Sequence, residues 1–231
     1  MKNTTFLTGL IMAVMLMVSA NLKGQTYALS FDGTNEYASV DENSSLNMGG
    51  SSFTVEFWVK SNKSFSSEVI FVEYGTWESG NYQVVSNNNK HLKVNFYGRS
   101  SPDGAAVTLD DEWADGEWHH IAGVLDNTAN TLKLFMDGTE VASVTENNSP
   151  GNATLPLYMA SRGGTGLFSD MEMDDVRIWN VARTQTEIQD NMNSELTGSE
   201  TGLVAYYKMN EGSGTTIADD SDNSNTGNLH N

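Results

Sequence analysis

Apolar and polar residues alternate with a period of two through most of this chain. In Phe53 to Val59 (FTVEFWV), Phe53, Val55, Phe57 and Val59 fall on one side and Thr54, Glu56 and Trp58 on the other. That is the period of a strand with one face on a core. Glu68 to Tyr74 (EVIFVEY) is a β-branched and aromatic run, and Asn81 to Ser86, Leu92 to Tyr97, Ala105 to Leu109 and His119 to Leu125 continue the theme. Thr131 to Met136 leads into Asp137-Gly138, a two-residue hairpin signal, and Glu140 to Val144 returns from it. Leu155 to Ala160 and Met173 to Trp179 follow. Clusters of Gly, Asn, Asp and Ser separate these segments, so the pattern predicts an all-β sandwich or barrel.

The period changes once. Thr184 with Glu187 three residues on makes a capping-box pattern, and Ile188, Met192 and Leu196 then share a helical face. The spacing predicts a single short helix ending near Gly198. Gly202 to Met209 (GLVAYYKM) reads as one more strand. Residues 210–231 are polar, with Ile217 and Leu229 as the only large aliphatics, and predict a tail with no core of its own. At the other end, Met1-Lys2, the apolar run Phe6 to Val18, and the small residues Ser19 and Ala20 have the three parts of a secretory signal peptide. The run is shorter than the roughly 20 residues of a membrane span. Cleavage is expected after Ala20 or after Gly24. The chain thus divides into a signal at 1–24, a β-domain at 25–200, and an additional strand and polar tail at 201–231.

Charge narrows the partners. The chain holds 30 acids against 12 bases, and loss of Lys2 and Lys23 with the signal would leave ten. Nucleic-acid binding rests on Lys and Arg neutralising phosphates, so this balance argues against it. An acidic exported protein does attract divalent cations, calcium first among them outside the cell. Cysteine is absent, which removes disulfides, thiolate metal sites, a cysteine nucleophile and a lipidated cysteine.

Four stretches, in order, carry a resemblance: ALSFDGTNEYASV from Ala28, SFTVEFWVK from Ser52, GEWHHIAGVLD from Gly116 with LKLFMDGTEVAS from Leu132, and MDDVRIWNVARTQTEI from Met173. Together they resemble the laminin-G-like domains of the concanavalin A-like lectin/glucanase superfamily, as found in exported proteins of Bacteroidetes. The resemblance implies a two-sheet antiparallel jelly-roll sandwich. It also implies that GLVAYYKMNEGSGTT, from Gly202, leads towards a further module.

The superfamily holds lectins, adhesion modules and hydrolases, so residues must decide between them. Its glucanases carry Glu-x-Asp-x-x-Glu on one strand. Here Glu172 and Asp174 match, but Arg177 stands in the acid/base position. No Gly-x-Ser-x-Gly elbow accompanies the histidines, and His119 and His120 read as one packed in and one facing out. Domains of this kind often carry a structural calcium, which by motif would be held by Asp32, Gly33, Asn35, Asp174 and Asp175. Alternatively, Asp32 caps its own turn and Asp175 pairs with Arg177.

Sugar sites combine aromatic faces with a few orienting polar groups. Trp77 in EYGTWESGNY, which also ends in Tyr82, and Trp113 in DDEWADG lie in turn-rich stretches where exposure is expected. Arg162 in SRGGTG supplies a polar clamp. The sequence therefore predicts a secreted or cell-surface module that binds a glycan or an extracellular protein, with a structural calcium ion. The alternatives are a glycan-cleaving hydrolase with a non-standard acid/base and a structural module working by protein contacts.

Overall fold

A computed structural model describes residues 27–63, 67–75, 81–86, 92–96, 107–109 and 113–231. The signal peptide expected at residues 1–24 lies outside them. Within the described residues, no helix is long and apolar enough to cross a membrane.

The alternating segments form two antiparallel sheets. The first contains β1 (Leu29–Asp32), β12 (Asp170–Trp179), β3 (Phe53–Lys60), β8 (His119–Asp126), β9 (Thr131–Met136) and β10 (Thr139–Thr145) in that spatial order. The long β12 pairs with β1 along its first half and with β13 (Leu203–Tyr207) along its second. The other sheet runs β14 (Thr216–Ile217), β15 (Gly227–His230), β2 (Tyr37–Val40), β11 (Leu157–Met159), β4 (Val69–Tyr74), β5 (Tyr82–Ser86), β6 (Leu92–Phe96) and β7 (Val107–Leu109). Phe53, Val55, Phe57 and Val59 bury fully into the core between the sheets, against Phe71, Tyr74, Tyr82 and Leu157 among others. The apolar side of the period-two pattern is thus the inner face of each sheet.

The closing residues differ from the expected polar tail. β13 is the strand expected within Gly202 to Met209, but residues 210–231 supply β14 and β15 to the other sheet, and β15 lies between β14 and β2. Ile217 is fully buried and Leu229 packs against the same core. Their loops are held by Asp219, whose carboxylate accepts from the backbone N–H groups of Tyr206, Ser221 and Asn225. Side chain-to-backbone bonds of this kind let a polar segment order itself without apolar mass of its own.

The single helix, α1 (Gln185–Asn191), has the capping box formed by Thr184 and Glu187, and it buries Ile188. It stops earlier than the periodicity predicts. The last four carbonyls of a helix lack partners within it, and here side chains from the sheet claim the carbonyls at its end. Arg177 donates to the Asn191 and Ser194 carbonyls at 2.9 and 2.7 Å, and the Trp58 indole donates to Met192 O at 2.8 Å. Leu196 therefore leaves the helical face and packs with Trp179, Leu203 and Tyr206.

Candidate functional site

The layer beneath α1 contains much of the chemistry the sequence singled out. A β-bulge interrupts β12, where Asp174 faces Trp58 and Arg177 faces Glu56, so three steps on β12 match two on β3. Asp175, with φ of 51°, absorbs the extra residue. A bulge re-aims side chains. Met173 and Val176 stay in the core, while Asp175 turns to Tyr206, whose hydroxyl donates to it at 2.9 Å, and to Arg177 at 3.4 Å. Arg177 also lies 3.8 Å from Glu56, and Glu56 accepts from the Trp179 indole at 2.9 Å. Burial pushes the Glu56 carboxyl up despite the pull of Arg177 and Arg183. Burial likewise pushes His120 down to about 3, so this histidine is neutral and structural. His119 faces the other way, with Nδ1 2.8 Å from Asp137 and Nε2 3.2 Å from Asp115.

This arrangement bears on the two motif-based expectations. The Glu172–Arg177 stretch does not form a glucanase centre: Glu172 is at the surface on Lys60, Asp174 is buried, and Arg177 is committed to α1. The expected calcium set is not brought together either. β1 pairs with β12 so that Asp32 faces Asp170, which leaves Asp174 four residues, or about 13 Å, further along the strand. Asp32 accepts from Thr34 N–H at 2.8 Å, the turn-capping alternative, and Asp175 pairs with Arg177. Gly33, with φ of 72°, packs on Asp170, and Asn35 follows it in the turn. Among the described residues no group of three or more His, Cys, Asp or Glu side chains is placed to hold a metal, and these five residues do not fit one ion.

The expected ligand residues also separate. Trp77 lies outside the described residues. Trp113 is fully buried, edge-on to Phe71 at 4.9 Å. The indole is part of the core between the sheets, so composition misread its exposure. Tyr82 is buried as well, stacked on Tyr74 at 5.5 Å. In β5 it shares the inward phase with Val84, and Gln83 points outward.

Arg162 does lie at a surface site. Its turn is closed by Arg162 N–H donating to Gly166 O at 2.8 Å, with Gly163 and Gly164 at φ of 60° and 68°. A Cβ on Gly164 would meet the Tyr37 ring at 2.9 Å, so glycine lets the turn settle on that ring. The guanidinium then reaches Glu68 at 2.8 Å, Gln83 at 3.4 Å and Glu73 at 3.5 Å.

Glu73 and Gln83 belong to a row that only the strand register reveals. Residues directly opposite in a ladder share a face. Asn228 pairs with Ser39, Ser39 with Tyr158, Tyr158 with Glu73, and Glu73 with Gln83. The outer face of the eight-stranded sheet therefore carries a polar row across five strands, exposed at Asn228, half-buried at Tyr158 and buried at Glu73. Aromatic rings flank its open end. Tyr37 stacks on His230 at 4.3 Å and lies 6.3 Å from Tyr158 and 6.1 Å from Phe168. Burial raises Glu73 to about 7, against the pull of Arg162.

A laminin G family model, of the concanavalin A-like lectin/glucanases superfamily, matches residues 32–189. No match was found among curated proteins. Among solved structures, the chain is similar to a candidate carbohydrate binding protein from Bacteroides ovatus, with a TM-score of 0.68 at 22% identity, covering 89% of this chain and 58% of that one. It is also similar to a heptameric SAP-like pentraxin from Limulus polyphemus, with a TM-score of 0.55 at 14% identity over 87% of this chain and 92% of that one. Domains LG4-5 of the mouse laminin alpha1 chain align with a TM-score of 0.53 at 11% identity, over 67% and 41% of the two chains. The chain spans under two thirds of the length of the Bacteroides structure, and at these identities the likeness is one of fold.

Proposed function

Because the chain belongs to the concanavalin A-like lectin/glucanases superfamily, we propose that it is a secreted binding module holding carbohydrate on the outer face of its eight-stranded sheet. The observation that carries this reading is the register that lines up Ser39, Tyr158, Glu73 and Gln83, with Arg162 over the last two. A sugar needs an apolar ring face and a few convergent planar polar groups. Tyr158 and Phe168, packed around Tyr37, offer the first, and Arg162, held from below by buried Gln83 and Glu73, offers the second together with Ser39 and Asn228. Secretion rests on the signal-like start of the sequence, and the similarity to a candidate carbohydrate binding protein supports the ligand class.

The test is titration calorimetry against a panel of oligosaccharides. Tyr158→Ala or Arg162→Ala is expected to weaken binding at least tenfold, with the far-ultraviolet spectrum unchanged. Full affinity in both variants would sink the proposal.

One observation bears on a hydrolase instead: Glu73, raised to about 7 by burial beneath Arg162, shares that guanidinium with the more exposed Glu68, a carboxylate pair that only a shift of Arg162 would uncover. Retaining and inverting glycosidases both need such a pair. Prolonged incubation with the bound glycan decides between them. No new reducing ends are expected, and release that stops in Glu73→Gln would establish the hydrolase.

A further inference from the structure

The opposite outer face, that of the seven-stranded sheet, carries a second cross-strand row. Ser30 pairs with Glu172, and Glu172 with Lys60. Trp118 comes next, just ahead of His119, which pairs with Val59, and Lys60 Nζ lies 5.9 Å from the centre of the Trp118 ring. The turn after β3 and the glycine at 116 close this end into a cleft of 230 Å³, lined by Ser30, Lys60, Asn62, Lys63, Asp170 and Glu172.

The cleft is charge-balanced. Lys60 pairs with Glu172 at 3.2 Å and Lys63 with Asp170 at 3.0 Å. Alternating ammonium and carboxylate groups select neither an anion nor a cation. They suit hydroxyl groups, which donate to a carboxylate and accept from an ammonium at once. The volume falls below the roughly 300–1,000 Å³ of sites for drug-sized ligands, and is that of a single sugar ring. The rim is also fixed in advance: Trp113 is anchored in the core, Asp115 is held by His119, and Gly116 N–H donates to Ser61 O at 3.0 Å. A preorganised rim lowers the cost of binding.

We propose that this cleft is a second carbohydrate site, taking one neutral pyranose unit with its hydroxyls between the two ion pairs and its edge towards Trp118, which flanks the cleft beyond Lys60. Its ligand class rests on the proposed function, but its position does not. The two sites lie on the outer faces of opposite sheets, so one molecule engages two glycan segments on opposite sides.

The test uses the whole chain without its first 24 residues and three probes: cellohexaose, mannohexaose and polygalacturonate. Calorimetry supplies stoichiometry, and a ¹H–¹⁵N spectrum follows the Trp118 indole signal, assigned with Trp118→Phe. Because neither ion pair is buried, Lys60→Met with Glu172→Gln should fold normally and serves as the second variant. The expected result is two sites for a neutral probe, reduced to one by Trp118→Ala, by the Lys60/Glu172 variant or by Tyr158→Ala, with the indole signal shifting on titration. One site, lost in Tyr158→Ala and untouched by the cleft variants, overturns the second site and leaves the first. One site lost only in the cleft variants upholds the cleft and overturns the first. Tighter Trp118-dependent binding of polygalacturonate overturns the neutral ligand class, and no binding of any probe overturns both sites.

Discussion

Arg162 reaches from its glycine turn to within 3.5 Å of Glu73, a carboxylate with no solvent exposure. The cation does not offset the desolvation, and the carboxyl rises to about 7 from an ordinary value of 4.5. The folded protein therefore holds this proton more tightly than the unfolded chain. The resulting stability is complete below about pH 4.5 and is lost as pH rises through 7, by about 3 kcal/mol. Chemical denaturation from pH 4 to 8 should show this loss, and Glu73→Gln should flatten it.

Arg177 is expected to be the most costly single cation to remove. Arg177→Met removes the nearest cation from buried Glu56 and Asp175 and frees the carbonyls of Asn191 and Ser194. Losing one partner of a buried pair costs about 3–5 kcal/mol, measurable by urea unfolding. Asp175→Asn should also destabilise, and by the same amount in calcium as in chelator, because its partners are Tyr206 and Arg177. A calcium-dependent difference in that variant would return Asp175 to a metal site.

His119 makes a pH-dependent clip of a different kind. Its bond to Asp137, helped by Asp115, raises its folded pKa above the ordinary 6.5. The stability it supplies is present in full below pH 6.5 and is lost as pH rises through the folded value. His119→Gln should remove that component while leaving the lower-pH window of Glu73 intact, as thermal melts at pH 5, 7 and 9 would separate.

Trp113→Ala should cost about 3–5 kcal/mol, the usual penalty for emptying a large aromatic site in a core. A Trp113→Phe protein that remains folded should bind every glycan as the wild type does. Loss of binding there, with the fold intact, would contradict the placement of this ring against Phe71.

Most of the strands were legible because burying one face of a sheet imposes a two-residue period on the sequence. The capping box at Thr184 and Glu187 was legible for the same local reason. The bulge in β12 went unread: Met171 and Met173 keep one inward phase and Val176 and Ile178 the other, a slip that Asp174-Asp175 fills. The other failures were of long range. Trp113 sits among turn residues, and only its packing against Phe71, distant in sequence, shows that it is core. Asp32 and Asp174 belong to paired strands, but whether they meet depends on a register that sequence spacing does not give. The row from Ser39 to Gln83 is invisible along the chain because its members lie on four separate strands.

The last strand lies inside its sheet. β15 pairs with β2 across nearly the whole sequence, and Ser39 and His230 bond over a separation of 191 residues. Non-local pairing of this kind slows folding. Until residues 227–230 emerge from the ribosome, β2 has one unpaired edge, open to the strands of neighbouring nascent chains. The growing polypeptide cannot complete this sheet early, so shielding of that edge during synthesis should govern how much protein reaches the native state.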